Sequence, residues 1–170
     1  MLWPEAKERV SKHTARLAVT LTGESAPVSD HILLTKVVHS LLEQKSAIGV
    51  FLEPGLFESS YYVERAEGIL DGDLPTELWV HINAPDFGEG ETFTFYTTGM
   101  RKFEKEEFEI IETKKNFIDA YYFLKELIKY TIKNDMKYKD GDVIGTEENK
   151  ISLSVTGGVN VNGMSVMINI

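Results

Sequence analysis

The sequence predicts an α+β protein, a two-layer sandwich in which helices pack mainly on one face of a mixed β-sheet that ends in a C-terminal β-hairpin. Three observations predict it. Stretches of helical and strand period follow one another in the order α-β-α-β-α-β-β-β-α-β-β-β. The strand-period stretches crowd into the second half of the chain. Asn162-Gly163, a strong hairpin dipeptide, stands just ahead of an apolar C-terminus. No composition shift splits the chain, so its 170 residues are expected to form one domain, 1–170. A domain of that size buries roughly 70% of the surface its unfolded chain exposes.

Each element has a local reason. Pro4 to Lys12 reads as a short helix, since proline is tolerated in a first turn. Leu17, Val19 and Leu21 alternate with Ala18, Thr20 and Thr22, the period of a half-buried strand. A loop from Gly23 to Pro27 leads to a helix capped by Ser29 or Asp30 and reaching about Gln44. Its apolar stripe is Leu34, Val37, Val38, Leu41 and Leu42. The apolar run Ala47–Leu52 suggests a strand at the sheet centre or covered on both faces. If the strands flanking that helix lie parallel, the crossover is right-handed. A further helix runs from Ser59 or Ser60 to Leu70, with Val63, Ala66, Ile69 and Leu70 inward.

Leu78, Val80 and Ile82, then Phe93 and Phe95, alternate with polar or aromatic residues around a Gly88–Gly90 turn, which reads as a hairpin. Phe108 and Ile110 mark another strand. Asn116 caps the longest helix, to about Asn134, with Phe117, Tyr121, Leu124, Leu127, Ile128 and Ile132 inward. Asp140-Gly141-Asp142 is a turn. Ile151, Leu153 and Val155 form a strand broken by Gly157-Gly158. Val159–Val161 and Met164–Ile170 then flank the Asn-Gly turn.

Composition excludes several classes of function. The chain has no cysteine, so disulfides, thiolate metal sites and cysteine nucleophiles are absent, in keeping with a reducing, cytoplasmic setting. Its net charge is -9, and its basic clusters (Arg101, Lys102, Lys105; Lys114, Lys115; Lys125, Lys129, Lys133) mix with acids or lie on a solvated helix face. Neither nucleic acid nor an anionic membrane surface suits such a chain. The N-terminus lacks the basic start and apolar run of a signal peptide, and no stretch nears the ~20 apolar residues of a membrane span.

Few residues carry chemistry. His31 and His39 share a helix but stand roughly 12 Å apart along it, too far for one metal ion; His13 and His81 lie elsewhere. Asp140 and Asp142 are weak metal candidates, offering two oxygens where calcium takes 6 to 8; turn chemistry explains them equally, as it does Asp71-Gly72-Asp73. Glu107 and Glu109 lie two apart on a strand, so both face away from Phe108 and Ile110. A partly buried carboxylate pair could do acid–base work, with Thr98 nearby, but a polar sheet face produces the same pattern. Gly23-Glu24-Ser25 begins like a nucleophile elbow and then lacks its second glycine. Trp79, Trp3, Tyr61 and Tyr62 could line a ligand pocket or simply the core. No cofactor motif is present.

Four stretches in order resemble a bacterial family known only as domain of unknown function number 4261. They are Trp3-Pro4-Glu5-Ala6 with Val10–Ala15; Leu33-Leu34-Thr35 with Val37-Val38; Tyr96-Thr97-Thr98-Gly99-Met100 with Phe103 and Glu107–Ile110; and Lys139–Asp142 with Ile144-Gly145, Glu147-Glu148 and Lys150-Ile151. The family pattern has glycine where Glu104 stands, so the backbone here is expected to enter positive φ less freely. It has threonine where Val143 stands, which removes a hydroxyl. The resemblance implies no activity.

A non-catalytic interaction or regulatory module is therefore the expectation, ahead of an enzyme working through Glu107, Glu109 and Thr98 or a small-ligand binder. The last fifteen residues hold neither charge nor proline. Such a segment must be central in its sheet, covered, or paired with a second copy. The last option suggests a homodimer through the C-terminal strands.

Overall fold

A computed structural model describes residues 3–22, 26–53, 55–85, 90–147 and 149–170. By internal packing the chain divides into two compact units, Met1–Trp79 and Val80–Ile170. The expected α+β class holds: helices accompany a six-stranded mixed sheet and a separate two-stranded one.

The first unit begins with α1 (Ala6–Ser11) and α2 (Pro27–Leu42). Pro27 opens α2, where its missing N–H costs no hydrogen bond. Strands β1 (Gly49–Leu52) and β2 (Gly55–Glu58) pair antiparallel, and α3 (Ser59–Glu67), a 3-10 turn (Gly68–Asp71) and α4 (Thr76–Trp79) follow. Its core holds Trp3, Val38, Phe57, Tyr62, Ala66, Leu78 and Trp79. The buried Trp79 indole donates to Thr35 Oγ1 at 2.9 Å, tying α4 to α2. Gly49 has no Cβ for a reason: one would meet the Trp3 ring at 2.9 Å and the Phe57 carbonyl oxygen.

Several expectations fail in this unit. Leu17, Val19 and Leu21 form no strand and are all exposed, because their alternation meets no neighbouring backbone to pair with. The Ala47–Leu52 run is one arm of a small hairpin instead of a sheet centre, and Phe51 is 69% exposed. Short apolar runs do not reveal how many neighbours a strand has. Because Leu17–Leu21 forms no strand, the conditional right-handed crossover over α2 lacks its first strand. Leu70, expected inward, is exposed because the helix tightens into the 3-10 turn before reaching it. The expected loop at 23–25, the Gly23–Ser25 motif and most of the 88–90 turn fall outside the described residues.

The second unit contains β3 (His81–Asn83), β4 (Phe93–Thr98), β5 (Glu107–Thr113), α5 (Phe117–Lys133), β6 (Val143–Gly145), β7 (Lys150–Gly157) and β8 (Met164–Asn169). The strands lie in the order β3-β4-β5-β8-β7-β6. Only β5 and β8 run parallel; the other neighbours are antiparallel. Register places Phe95, Ile110, Phe108, Val166, Ile168 and Leu153 on one face. Helix α5 covers that face, and Phe117 meets the Phe95 ring at 4.9 Å. Tyr96, Glu107, Glu109, Ser165 and Met167 occupy the other.

Asn116 caps α5, its side chain accepting from the Ile118 and Asp119 amides at 2.9 and 3.4 Å. Asn116→Ala is expected to cost ~1 kcal/mol, measured by urea unfolding. An unchanged midpoint would show that the cap contributes nothing.

The C-terminal hairpin differs from expectation in its first arm. β7 itself pairs with β8 from Ser152↔Asn169 to Gly157↔Met164, and residues 158–163 form the connecting loop. Val159–Val161 is therefore loop. β8 is hydrogen-bonded along both edges, to β5 and β7. Of the three ways to shelter the uncharged C-terminus, the fold uses the central position for β8.

Candidate functional site

The polar face of the second unit carries the most organised cluster of side chains. β5 is buried on both faces at its start: Phe108 and Ile110 on one side, Glu107 (5% exposed) and Glu109 (0%) on the other. The face was legible in the sequence, but the solvation expected for it is wrong. Two loops fold over these carboxylates.

Glu107 holds the loop that leaves β4. Its oxygens accept from Thr97 Oγ1 at 2.7 Å, Gly99 N at 2.9 Å, Met100 N at 3.3 Å and Arg101 N at 3.4 Å. Thr97 Oγ1 accepts in turn from the Phe108 amide at 2.8 Å, so strand, hydroxyl and carboxylate form one chain of bonds. Gly99 has φ of 122°, a value suited to glycine, and this turns its amide onto Glu107.

Glu109 holds the β7–β8 loop. Its carboxylate accepts from Ser165 Oγ at 2.6 Å, Val159 N at 2.9 Å and Asn160 N at 2.6 Å. Burial raises its pKa, but these donors together outweigh burial and bring it below the usual carboxylate value. Glu109 is thus held ionised, its charge distributed over amides and a hydroxyl.

The two loops also join each other. The Arg101 guanidinium donates to the Asn162 carbonyl and, at 3.4 Å, to that of Met164. A Cβ on Gly163 would meet Arg101 Nη2 at 2.9 Å, and its φ of 80° also calls for glycine. Arg101, Glu104, Lys105, Glu106, Gly163 and Met164 line an open concavity of about 460 Å³. Lys105 is buried and paired with the exposed Asp135, whose carboxyl this hydrogen bond holds below its usual pKa.

Glu104 adopts φ of 58°, contrary to the expectation of a backbone kept out of that region. The rim of the loop therefore keeps the left-handed turn for which glycine is suited, although a side chain occupies it.

The remaining candidates lie apart. Thr98 is exposed, and its hydroxyl accepts from Asn83 Nδ2 at 3.0 Å. Asp140 accepts from the Val155 amide at 3.2 Å, and Asp142 from the Lys139 amide at 2.8 Å. With Gly141 N bonded to the Leu153 carbonyl at 3.0 Å, the Asp-Gly-Asp turn caps the edge of β7 beyond the short β6. Val143 starts β6 and is exposed. His13, just past α1, bonds the Val10 carbonyl at 2.7 Å, and His31 bonds the Pro27 carbonyl of its own helix at 2.8 Å. Burial pushes His81 below its usual pKa. Trp3, Tyr62 and Trp79 are core residues. Among the described residues no group of three histidines and carboxylates is placed to hold a metal ion, and no helix is long and apolar enough to cross a membrane.

Sequence reasoning noted the Thr97-Thr98 hydroxyls with Arg101 nearby but did not join them to Glu107, and it missed Ser165 altogether. The available signal was Ser165, a lone hydroxyl beside the apolar run that closes the chain.

The matched region of a known family coincides with this cluster. Residues 96–170 match the family model for a domain of unknown function, DUF4261. No curated protein and no solved structure matches the chain. The match covers the third and fourth of the resembling stretches and not the first two; it begins at Tyr96, just before the Thr-Thr-Gly turn, and takes in both buried carboxylates, α5, the Asp-Gly-Asp turn and β8.

Proposed function

We propose that the chain is a non-catalytic interaction module whose recognition surface is the pair of loops held by Glu107 and Glu109. One observation carries this reading. Both carboxylates, the only paired acids the sequence offered for chemistry on the sheet, already accept seven bonds from loop amides and hydroxyls. A general base needs a free lone pair within reach of a substrate proton. These oxygens instead fix main chain, which pre-organises a surface for binding. Glu104 and Glu106 are exposed at its rim beside Arg101, so a folded protein with a mixed-charge patch suits it better than nucleic acid or an anionic membrane. The lack of cysteine favours a cytoplasmic setting.

The test is quantitative affinity capture from the source cell, comparing the wild type with a Glu104→Lys, Glu106→Lys double variant and with a Lys125→Glu control on α5. The reading expects one protein whose recovery falls at least about 10-fold in the double variant, equal to ~1.4 kcal/mol, and is unchanged in the control. Equal recovery by all three, or none by the wild type, overturns it.

A further inference from the structure

The first unit carries an apolar stripe that its own fold does not use. α2 buries Thr35 and Val38 on one side. On another side Leu33, Val37 and Leu41, spaced i, i+4, i+8, remain 49%, 42% and 38% exposed. The sequence assigned Val37 and Leu41 to the core stripe; the helix faces its core with Thr35 instead, because Thr35 receives the Trp79 indole.

We infer that this stripe is a two-fold contact between copies of the chain, with α2 packed antiparallel on α2 and Val37 on the axis. The stripe is self-complementary about Val37. Four residues before it stands Leu33 and four after it Leu41, so an antiparallel two-fold sets Leu33 against the partner's Leu41. Ridges spaced by four residues interdigitate in the commonest helix crossing, at about -50°.

Charge selects the occupant. The chain carries -9 overall, so most of its faces repel a second copy. From Pro27 to Lys45 the charges are Asp30 and Glu43 against Lys36 and Lys45, which cancel. The apolar stripe thus lies on a helix of zero net charge, where two acidic chains can approach.

The test is the solution mass from light scattering at concentrations above the micromolar range. Wild type is expected at twice the chain mass, while Val37→Glu and Val37→Lys, each placing like charges on the axis, are monomers with unchanged circular dichroism. Mixing the two variants in equal amounts restores the dimer, because glutamate then faces lysine. A merely misfolded or destabilised variant does not regain a partner in this way. A wild-type monomer overturns the inference and leaves the stripe to a partner of another kind. Variants that stay dimeric, or a mixture that stays monomeric, also overturn it.

Discussion

Glu109→Ala is expected to destabilise the protein by at least about 3 kcal/mol. The substitution leaves the Val159 and Asn160 amides and the Ser165 hydroxyl facing a void where an ionised carboxylate stood. The Ser165 hydroxyl is buried and the two amides are part-buried; a donor stranded away from water costs ~1–3 kcal/mol, and three bonds to one charge are lost together. Glu109→Gln tests the charge itself. It keeps the shape, but its amide nitrogen faces donors, so it too is destabilising. Acid titration supplies an independent check. Because Glu109 is held below its unfolded pKa, its contribution is complete above that unfolded value, ~4.3, and is lost as pH falls through the lower folded value. In Glu109→Gln that part of the acid sensitivity disappears. A glutamine variant as stable as the wild type at neutral pH, with the same acid profile, would contradict the role of Glu109 as a loop anchor.

Leu124→Ala should lower the unfolding free energy by ~2–5 kcal/mol. Leu124 is fully buried on α5, and its neighbours on the inward stripe, Ala120, Leu127, Ile128 and Ile132, are buried with it. The aromatic residues beneath α5, Phe95 and Phe108, are themselves fully buried and sit in the pleated sheet, so they have little room to relax into the space left behind. Chemical denaturation measures the change. A shift below ~0.5 kcal/mol would be the behaviour of a surface position and would mean that α5 presents a different face to the sheet.

These two positions also mark the difference between what was legible in the sequence and what was not. Helix α5 was legible from end to end. Its cap, Asn116, bonds its own first turn, and its apolar stripe repeats with the helical period over seventeen residues, so both signals are local. The alternation along β4 and β5 likewise assigned Phe95, Phe108 and Ile110 to one face, and Glu107 and Glu109 to the other. The α+β class followed from those same local periods.

Partnership was decided only by the tertiary structure, because a strand's period says which way its side chains point and nothing about what lies above them or beside it. Leu17, Val19 and Leu21 have the strand period and no strand to join. Met164–Asn169 has the composition of a segment that needs protection and finds it between β5 and β7. Glu107 and Glu109 point away from the apolar core as the alternation requires. Their burial depends on loops ten and fifty residues away, counted from Thr97 to Glu107 and from Glu109 to Val159, which deliver amide hydrogens to both carboxylates. The sequence by itself thus determined α5 with its inward stripe and the two faces of β4 and β5, through contacts made within a turn or along a strand. The long-range hydrogen bonds that make two acidic residues the anchors of a loop surface exist only once the sheet has formed.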